Sequence, residues 1–374
     1  MRILSVSNFF DSHGGGLERV AAHLNREFIA AGHQVAWAAS DADGLPEGPA
    51  TLVGLRCVNP TEQFSGLPMP IPGPRSIMRL RRAISNADTV VIHDALYVTS
   101  VLAMIFAKAA KKRTVMVQHI GVIPFSSALL NAILLLANFI VTRTMMGAAD
   151  RLAFISATVR DDLLGTPPRR SSLLVFNGVD QSVFNAHEQS TRHDTRARWN
   201  LPASAPLAVF VGRFVEKKGL RILKLLAQQR PGVHFALLGQ GPIDPCEWGL
   251  MNVHVLGQQP QRLIADLYRA SDMLLLPSVG EGYPLVVQEA MACGLPVICG
   301  DGSAKADPAA YQWLTGIDID LADPHGSATR CAAAIDGLAA APVDTAAMAD
   351  YAAKNYNWRR MADALLDGLQ PTIR

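Results

Sequence analysis

The sequence predicts an α/β protein made of two Rossmann-like domains. Strand-like apolar runs alternate with helical runs, the alternation stops at a polar segment and restarts after it, and the 374 residues exceed the usual size of one hydrophobic core. Alternating strands and helices form parallel sheets that helices cover on both faces. We therefore expect two such domains facing each other across a cleft, with ligands bound at the carboxyl ends of the strands.

The first half of the chain contains six runs that predict parallel strands, because each is short and rich in aliphatic and β-branched residues. Helical periodicity predicts helices between most of them, as at 17–31 and 97–110. The predicted strands are 2–7, 34–39, 89–93, 114–118, 151–156 and 172–176.

A polar stretch at 181–204 interrupts this alternation, and its Ser, Thr, Arg and Asp content is typical of a linker. The alternation restarts after it, with predicted strands at 207–211, 234–238, 253–256, 273–276 and 296–299. The expected organisation is an N-terminal domain over 1–182, a linker over 183–204, a C-terminal domain over 205–352 and a closing helix over 353–374.

Composition disfavours several classes of function. The net charge of +2, with no Lys/Arg block longer than 111–113, disfavours nucleic-acid binding. The five cysteines form no C-x-x-C pair, which favours a reducing compartment and gives no metal site. The N-terminal apolar run leads directly into Asn8 and a glycine loop and is too short for a signal peptide, so we expect a cytoplasmic protein.

One segment accounts for part of the high apolar content. Residues 126–146 predict a helix that is apolar on almost all sides and too short to span a bilayer. Two interpretations stay open: the helix is buried against a sheet, or its outer face contacts a membrane surface. In the second case Arg143, Arg151 and the basic residues 111–113 would face anionic lipid.

Glycine-containing turns follow one strand in each half. Gly14, Gly15 and Gly16 follow the first strand and precede a helix, where glycine lets the backbone approach a ligand and the helix N-terminus attracts phosphate. A flexible turn without a ligand is the alternative, because the triplet does not fit the G-x-G-x-x-G fingerprint. In the second half Gly239, after the strand at 234–238, is expected to form a wall of the ligand crevice.

Two cations bracket the loop after the strand at 207–211. Arg213 and Lys218 lie where the carboxyl end of a strand meets the ligand in an open α/β sheet, and together they would neutralise a diphosphate. The alternative is two solvated surface charges.

The most informative motif is the pair Glu281 and Glu289, eight positions apart across a predicted loop-to-helix junction. One carboxylate can face a ligand from the loop and the other from the helix, at the carboxyl edge of a sheet. Pro284, which has no N–H, suits the first turn of this helix. The alternative is a loop charge and a solvated helix position.

Together these motifs resemble glycosyltransferase family 4, the nucleotide-sugar-dependent, retaining glycosyltransferases with the GT-B fold. The resemblance covers nearly the whole chain and is most specific in the C-terminal half. It rests on four motifs in order: the Gly14 to Glu18 loop, Asn177-Gly-Val-Asp180, Val211-Gly-Arg213 through Lys218-Gly219, and the E-x7-E motif over 281–289. It implies that the N-terminal domain binds the acceptor, that the C-terminal domain binds the nucleotide sugar, and that the closing helix packs back on the N-terminal domain.

The resemblance also implies a role for each matched residue. Arg213 and Lys218 hold the donor diphosphate and stabilise charge on the leaving group. Glu289 accepts hydrogen bonds from the ribose, and Glu281 contacts hydroxyls of the transferred sugar. His119 falls near the donor sugar and the acceptor, although a structural role for it stays open. The other residues expected at the donor are Gly15, Gly16, Gly239, Gly282, Tyr283, Leu285 and Val286, the last two through N–H groups at the helix start.

The resemblance implies retention of the anomeric configuration, commonly explained by front-face attack assisted by the leaving phosphate, so neither glutamate needs to be a nucleophile or general base. The two D-x-D sequences, 41–43 and 318–320, are predicted to be turn acids, the second beyond the motif-bearing core. No metal cofactor is expected. The chain departs from the family pattern at 300–308, and this departure leaves the donor sugar unassigned.

The expected reaction is transfer of a hexosyl unit from a nucleotide diphosphate sugar to a glycan or lipid-linked glycan, in the synthesis of cell-surface polysaccharide or lipopolysaccharide. Contact with the inner face of the cytoplasmic membrane would suit a lipid-linked acceptor. No motif names the acceptor or the donor base, which is UDP, GDP or ADP. Two alternatives stay open: a catalytically silent nucleotide-sugar-binding protein, and a GT-B-fold nucleotide-sugar 2-epimerase, which would release a free epimerised sugar nucleotide.

Overall fold

The computed structural model describes residues 1–60, 69–121, 138–187 and 191–369. The chain divides into two compact units, Met1–Asn177 with Trp358–Arg374, and Gly178–Asn357. Each unit is built on one parallel sheet, which confirms the predicted α/β fold class. Most of the apolar segment predicted as a helix at 126–146 lies outside the described residues.

The described residues of the first unit form nine strands. They are β1 Arg2–Phe9, β2 Gln34–Ser40, β3 Thr51–Leu55, β4 Cys57–Val58, β5 Ile71–Pro72, β6 Thr89–His93, β7 Arg113–Gln118, β8 Arg151–Phe154 and β9 Leu173–Leu174. Seven form a parallel sheet in the order β3-β2-β1-β6-β7-β8-β9, and β4 pairs with β5 in an antiparallel hairpin. The six strands predicted in this half are confirmed, whereas β3 and the hairpin are additional.

Helices cover this sheet, and they explain why its central strands are apolar throughout. All of β6 and every residue of β1 except Arg2 are buried, as expected for parallel strands covered on both faces. In helix Gly16–Ala30 the buried Val20, Leu24 and Phe28 recur every fourth position and form one apolar face. The helices up to Leu164 are α1 Gly16–Ala30, α2 Pro74–Asn86, α3 Val98–Ala109, α4 Arg143–Ala148 and α5 Ala157–Leu164, with a π-helical segment Asn138–Thr142 before α4.

In the second unit, six parallel strands lie within the described ranges. They are β10 Leu207–Val211, β11 His234–Leu238, β12 Val253–Gly257, β13 Met273–Leu276, β14 Val297–Gly300 and β15 Leu314–Ile317, in the order β12-β11-β10-β13-β14-β15. Its helices are α6 Arg192–Arg198, α7 Leu220–Gln229, α8 Gln261–Ala270, α9 Leu285–Ala292, α10 Asp301–Ala304, α11 Pro324–Ala340 and α12 Thr345–Asn355. The five strands predicted here are confirmed. The sequence of β15, Leu-Thr-Gly-Ile, is too short and too weakly apolar to predict a strand, and its pairing with β14 defines it.

The strand order reverses once in each sheet. From β1 the chain adds β2 and β3 on one side and then β6 to β9 on the other, so the reversal lies between β1 and β6. In the second sheet it lies between β10 and β13. Loops diverge at such a point and leave a crevice at the carboxyl ends of the strands, where open α/β sheets bind ligands.

The described parts of the segment expected to be a linker, 183–187 and 191–204, belong to the second unit instead. They contain α6, whose Arg196 side chain is completely buried and donates hydrogen bonds to the carbonyls of Ala270, Pro202 and Ala205. Arg196 also lies 2.9 Å from Asp272. The polar composition predicted an exposed linker, and this prediction was wrong for Arg196. Its charge is buried because partners far along the chain, such as Asp272, compensate it, and composition does not reveal such partners.

The boundary near the C-terminus also differs from the predicted one at 353. Helix α12 belongs to the second unit, and the chain enters the first unit at Trp358. The last helix among the described residues, α13 Trp358–Leu366, packs against α1, where Trp358 stacks on His23 with ring centroids 4.6 Å apart. Arg151 donates a 2.7 Å hydrogen bond to the carbonyl of Ala364. No single helix in the described ranges is long and apolar enough to cross a membrane.

Candidate active site

The reversal point of the second sheet brings two predicted site residues together. Lys218 ends a 3₁₀ turn that follows β10, and Glu281 lies in the loop that follows β13. The Lys218 Nζ atom is 3.0 Å from Glu281 Oε1, and Lys217 Nζ is 3.9 Å from the same oxygen. Because β10 and β13 are neighbours in the sheet, their following loops meet at the same edge.

This ion pair sets the charge of Glu281. Burial alone raises the pKa of its carboxyl group, but Lys218 and Lys217 outweigh that effect and hold the pKa below its ordinary value. The carboxylate is therefore charged at neutral pH. A charged carboxylate accepts hydrogen bonds from hydroxyl groups and has no proton to give.

Close backbone packing holds the loops around this pair. Gly219 has φ of +76°, and an added Cβ atom would lie 2.2 Å from the Pro277 carbonyl oxygen. Gly239, predicted as a wall of the crevice, has φ of +146°, and its Cβ atom would lie 1.8 Å from the Gly212 carbonyl oxygen. Only glycine fits at either position, so these residues let the strand-end loops pack directly on one another.

Tyr283 was expected to contact the donor, but its side chain points into the protein. It is 2% exposed, and its hydroxyl lies 2.7 Å from the Tyr356 hydroxyl. Tyr356 and Tyr351 donate hydrogen bonds of 3.0 and 2.8 Å to Asp307. The Tyr283 side chain therefore anchors the loop that carries Glu281, and a ligand contact at this position would use the main chain.

Replacing Tyr283 by phenylalanine is expected to lower the free energy of unfolding by about 1 kcal/mol, because the ring stays packed while one buried hydrogen bond is lost. Denaturant unfolding of the single and double variants with Tyr356→Phe measures this, and the two effects should not add, since the hydroxyls bond each other. Tyr311→Phe, at a residue 44% exposed, is the control and should change little. Fully additive effects would contradict a shared network.

Helix α9 begins directly after this loop. Pro284 is its N-cap residue, one position before the first helical turn where it was expected, and Leu285 and Val286 begin the helix. N–H groups in a first helical turn have no carbonyl partner within the helix. Glu289 lies on the same helix and is 6% exposed, Gly282 is buried in the loop, and Arg213 is exposed after β10.

In the first unit, the glycine loop leads into α1. Gly14 has φ of +79°, Gly15 is the N-cap residue and Gly16 begins the helix. The Glu18 carboxylate folds back over the loop, since a Cβ atom added to Gly15 would lie 2.1 Å from Glu18 Oε2. Glu18 is 7% exposed.

His119 directly follows β7 and belongs to a buried chain of polar groups. Its Nε2 atom is 3.0 Å from His93 Nδ1, and His93 Nε2 is 3.4 Å from Ser5 Oγ. Burial lowers the pKa of His93 to about 4, and burial together with His93 holds the pKa of His119 well below its ordinary value. Both imidazoles are therefore neutral at pH 7, and His119 Nδ1 has no hydrogen-bond partner within the described ranges.

The chain of contacts determines what His119 can offer a ligand. If Ser5 donates to His93 Nε2, the His93 proton sits on Nδ1 and is donated to His119 Nε2. His119 then carries its own proton on Nδ1, where it can donate to a hydroxyl oxygen. His93 was not predicted from the sequence as a site residue. Its position at the end of β6, where open α/β sheets bind ligands, could have indicated it.

Asp94 fixes the turn that carries His119. It has φ of +60°, and its Oδ1 atom accepts hydrogen bonds of 2.7 and 3.2 Å from the N–H groups of His119 and Ile120. Burial raises the pKa of the Asp94 carboxyl group to about 7, although these N–H groups oppose the shift, and Glu18 adds to it.

Asp94 is expected to make stability depend on pH. Its folded pKa of about 7 lies above the ordinary value of 3.8, so its contribution is present at low pH and is lost as pH rises from about 4 to about 7. Urea unfolding of wild type and Asp94→Asn at pH 5 and pH 8 tests this. Wild type should lose stability relative to the variant at pH 8, and the comparison cancels the titration of His93, which both proteins contain. An unchanged difference between the two pH values would contradict the assignment.

The second D-x-D sequence does not lie beyond the motif-bearing core as expected. Asp318 follows β15 and lines a cavity together with Glu281, because β15 lies on the same side of the sheet reversal as β13 and β14. Asp301, in the segment that departs from the family pattern, lines it too.

Comparison with known proteins adds to this geometry. Residues 14–183 match Glycosyltransferase Family 4, and residues 205–341 match Glycosyl transferases group 1. The putative teichuronic acid biosynthesis glycosyltransferase TuaC of Bacillus subtilis is 32% identical over 42% of this chain and 40% of its own length. The next relatives are D-inositol 3-phosphate glycosyltransferases. The chain spans about half the length of these relatives and of TuaC.

Solved structures show the same fold. Sucrose-phosphate synthase from Thermosynechococcus elongatus superposes with a TM-score of 0.73 at 20% identity, over 98% of this chain and 97% of that chain. Anabaena HepE in complex with UDP-glucose gives 0.72 at 17% identity, over 99% of both chains. With both units matched in sequence and the fold matched over nearly the full length, the chain belongs to glycosyltransferase family 4 of the GT-B fold.

Proposed function

We propose that this protein is a retaining, metal-independent glycosyltransferase that moves a hexosyl unit from a nucleotide diphosphate sugar to a glycan or lipid-linked glycan. The observation that carries the proposal is the ion pair between Lys218 and Glu281 at the reversal point of the second sheet. A cation directly beside a charged carboxylate supports the assignment of the diphosphate to Lys218 and of the sugar hydroxyls to Glu281.

The donor diphosphate is assigned to Arg213 and Lys218. Both follow β10, and the N-terminus of α9, with the N–H groups of Leu285 and Val286, supplies further donors for phosphate oxygens. These charges stabilise the nucleotide diphosphate as it leaves, which is the largest electrostatic demand of the reaction. The UDP-glucose complex of the similarly folded HepE supports a uridine nucleotide as the first donor to test.

The sugar and the ribose are assigned to the two glutamates. Glu281 is charged and accepts hydrogen bonds from hydroxyls of the transferred sugar, and Glu289 accepts them from the ribose. Lys218 and Lys217 hold the pKa of Glu281 below its ordinary value, which makes this carboxylate a weak base, so we assign proton removal from the acceptor to the leaving phosphate. His119 contributes a neutral imidazole that donates from Nδ1 to a substrate hydroxyl.

A thermal-shift panel of UDP, GDP and ADP sugars, followed by a transfer assay with the stabilising donor, tests the function. Binding with turnover that Glu281→Ala abolishes, while nucleotide affinity largely persists, is the expected result. Binding without turnover in wild type would indicate a silent nucleotide-sugar-binding protein, and release of a free epimerised sugar nucleotide would indicate the epimerase. Absence of binding by every donor would contradict the proposal.

The acceptor is proposed to be part of a cell-surface polysaccharide or lipopolysaccharide reached at the inner face of the cytoplasmic membrane. The similarity to TuaC supports this acceptor class, because TuaC is named for teichuronic acid biosynthesis. The first unit exposes large apolar side chains on the β4–β5 hairpin, α2 and α3, which form a connected group of elements, and on the π-helical segment, which contacts α3 through α4. The exposed side chains are Val58, Ile71, Met78, Ile105, Phe139 and Ile140, with Arg143 placed over the Phe139 ring at 4.7 Å.

The double substitution Phe139→Ala and Ile140→Ala is expected to weaken binding to anionic vesicles about 10-fold or more, because two side chains 60% and 55% exposed would no longer bury apolar surface in the lipid. Flotation with vesicles of phosphatidylglycerol and phosphatidylcholine measures this. Met251→Ala, at an exposed methionine of the second unit, is the matched control and should bind as wild type. Equal binding by the double variant would contradict the proposed contact.

A further inference from the structure

A cavity of about 250 Å³ lies at the carboxyl ends of β13, β14 and β15. The segments that follow these three strands form its walls, at 278–281, 300–303 and 317–319. Glu281, Asp301 and Asp318 line it, and among the described residues no lysine, arginine or histidine does. We call it the acidic cavity.

The three carboxylates differ in how they are compensated. Glu281 is paired with Lys218, and Asp301 with Lys305 at 2.6 Å. Asp318 forms no ion pair with any residue in the described part of the chain. If Lys218 turns to a bound diphosphate, the charge of Glu281 is left facing the cavity as well.

The cavity also carries an independent sign of a polar ligand. Ser278, one of its lining residues, is 3% exposed, and its Oγ atom has no hydrogen-bond partner within the described ranges. Buried hydroxyl groups normally have a partner. Gly300 keeps the opposite wall close, because a Cβ atom there would lie 2.5 Å from the Ser278 carbonyl oxygen.

We propose that the acidic cavity receives the transferred sugar and selects donors whose sugar carries no negative charge, so that neutral and amino sugars bind in preference to uronic acids. This inference rests on the proposed function, since it takes Lys218 as a diphosphate ligand and Glu281 as a sugar contact. Glu281 lies 3.0 Å from Lys218 and also lines the cavity, so a sugar attached to the diphosphate continues past Glu281 into it.

The selectivity follows from the chemistry of the lining. Sugar hydroxyls donate hydrogen bonds to carboxylates, and a protonated amine donates charge-assisted ones. A sugar carboxylate has no donor to offer, and it faces like charges. Screening is weakest at Glu281, whose side chain is 16% exposed, and stronger at Asp301 and at the exposed Asp318. The same carboxylates therefore accept hydrogen bonds from neutral and amino sugars and repel uronic acids.

The test compares donors that differ only at C6. UDP-glucose, UDP-glucuronate and UDP-6-amino-6-deoxyglucose carry a hydroxyl, a carboxylate and an amine, and calorimetric titration measures their Kd values on the full chain. Glucuronate is expected to bind about 10- to 100-fold more weakly than glucose, and the amino sugar at least as tightly as glucose. The pairs GDP-mannose with GDP-mannuronate and ADP-glucose with ADP-glucuronate repeat the comparison on the other bases.

Asp318→Asn removes one negative charge from the acidic cavity and keeps the size of the side chain. It therefore tests whether charge, rather than shape, causes weak binding of UDP-glucuronate. It should reduce the discrimination between glucose and glucuronate about 2- to 5-fold, with little effect on UDP itself. Asp336→Asn is the control, because this exposed carboxylate pairs with Arg230 and lies outside the cavity, and it should leave the discrimination unchanged. Raising the salt concentration should narrow the discrimination in wild type.

The outcomes distinguish this inference from the proposed function. If glucose and glucuronate donors bind equally, or if Asp318→Asn leaves their ratio at the wild-type value, the charge selection is wrong while the glycosyltransferase proposal stands. If none of the nucleotide sugars binds, both are wrong. The inference would be supported if UDP-glucuronate binds more weakly than UDP-glucose and the amino sugar at least as tightly, and if Asp318→Asn reduces the ratio between the glucose and glucuronate affinities.

Discussion

Replacing Lys218 by alanine is expected to reduce kcat/KM for sugar transfer about 10²- to 10³-fold, the usual cost of removing one electrostatic stabiliser of a leaving group. The substitution removes a cation from the proposed diphosphate site. It also leaves Glu281, which is held charged by Lys218 and Lys217, without its nearest partner. The pKa of Glu281 should then rise toward the value that burial favours, so that loss of activity is greatest at low pH.

Steady-state kinetics over a range of pH, with the donor that the ligand panel identifies, measures this effect. Lys217→Ala is the matched control, because its Nζ atom is 3.9 Å from Glu281 and its side chain is 44% exposed, and it should cost less than 10-fold. Lys218→Arg should recover part of the activity, since the charge returns. Wild-type kcat/KM in Lys218→Ala would remove Lys218 from the site.

Replacing Arg196 by alanine is expected to lower the free energy of unfolding of the second unit by about 3 to 5 kcal/mol. The guanidinium group is completely buried and donates to the carbonyls of Ala270, Pro202 and Ala205 while pairing with Asp272. Its removal leaves these carbonyl oxygens without a donor. Asp272 keeps only its contacts to Arg192 and to the N–H group of Leu207, so β10 loses part of its anchoring to β13.

Denaturant unfolding followed by far-UV circular dichroism measures the loss. Arg198→Ala is the control, since this exposed arginine lies on the same short helix and carries the same charge, and it should change stability by less than about 0.5 kcal/mol. Equal stability of the two variants would mean that the buried contacts of Arg196 contribute little. Nucleotide binding by Arg196→Ala at low temperature would show whether the site survives in the folded fraction.

Much of the fold could be predicted because the information is local. Most strands of the two parallel sheets are short apolar runs, because a parallel strand covered on both faces requires such a run wherever it lies in the chain. Strands that depend on their neighbours escaped prediction. β15 is weakly apolar and exists through its pairing with β14, and the hairpin of β4 and β5 has only two residues in each strand.

The candidate site was predicted in part for the same reason. Arg213, Lys218 and Glu281 follow predicted strands, and Glu289 lies on the helix that starts after Glu281, so their place at the sheet edge could be inferred from the pattern. The direction in which a side chain points could not be inferred from the pattern. Tyr283 lies within the motif, yet its hydroxyl is directed at Tyr356, a residue of a distant segment.

The sequence by itself determined two α/β units, most of the strands that lie in them, and the charged residues at the ends of those strands. The tertiary structure decided which strand ends are neighbours, and therefore that Lys218 meets Glu281, that Asp318 shares a cavity with Glu281, and that Arg196 is buried rather than part of a linker. Hydrophobic periodicity is a property of one segment and can be read there. The charge, burial and partners of a polar group depend on segments far along the chain that only the packed sheet brings together.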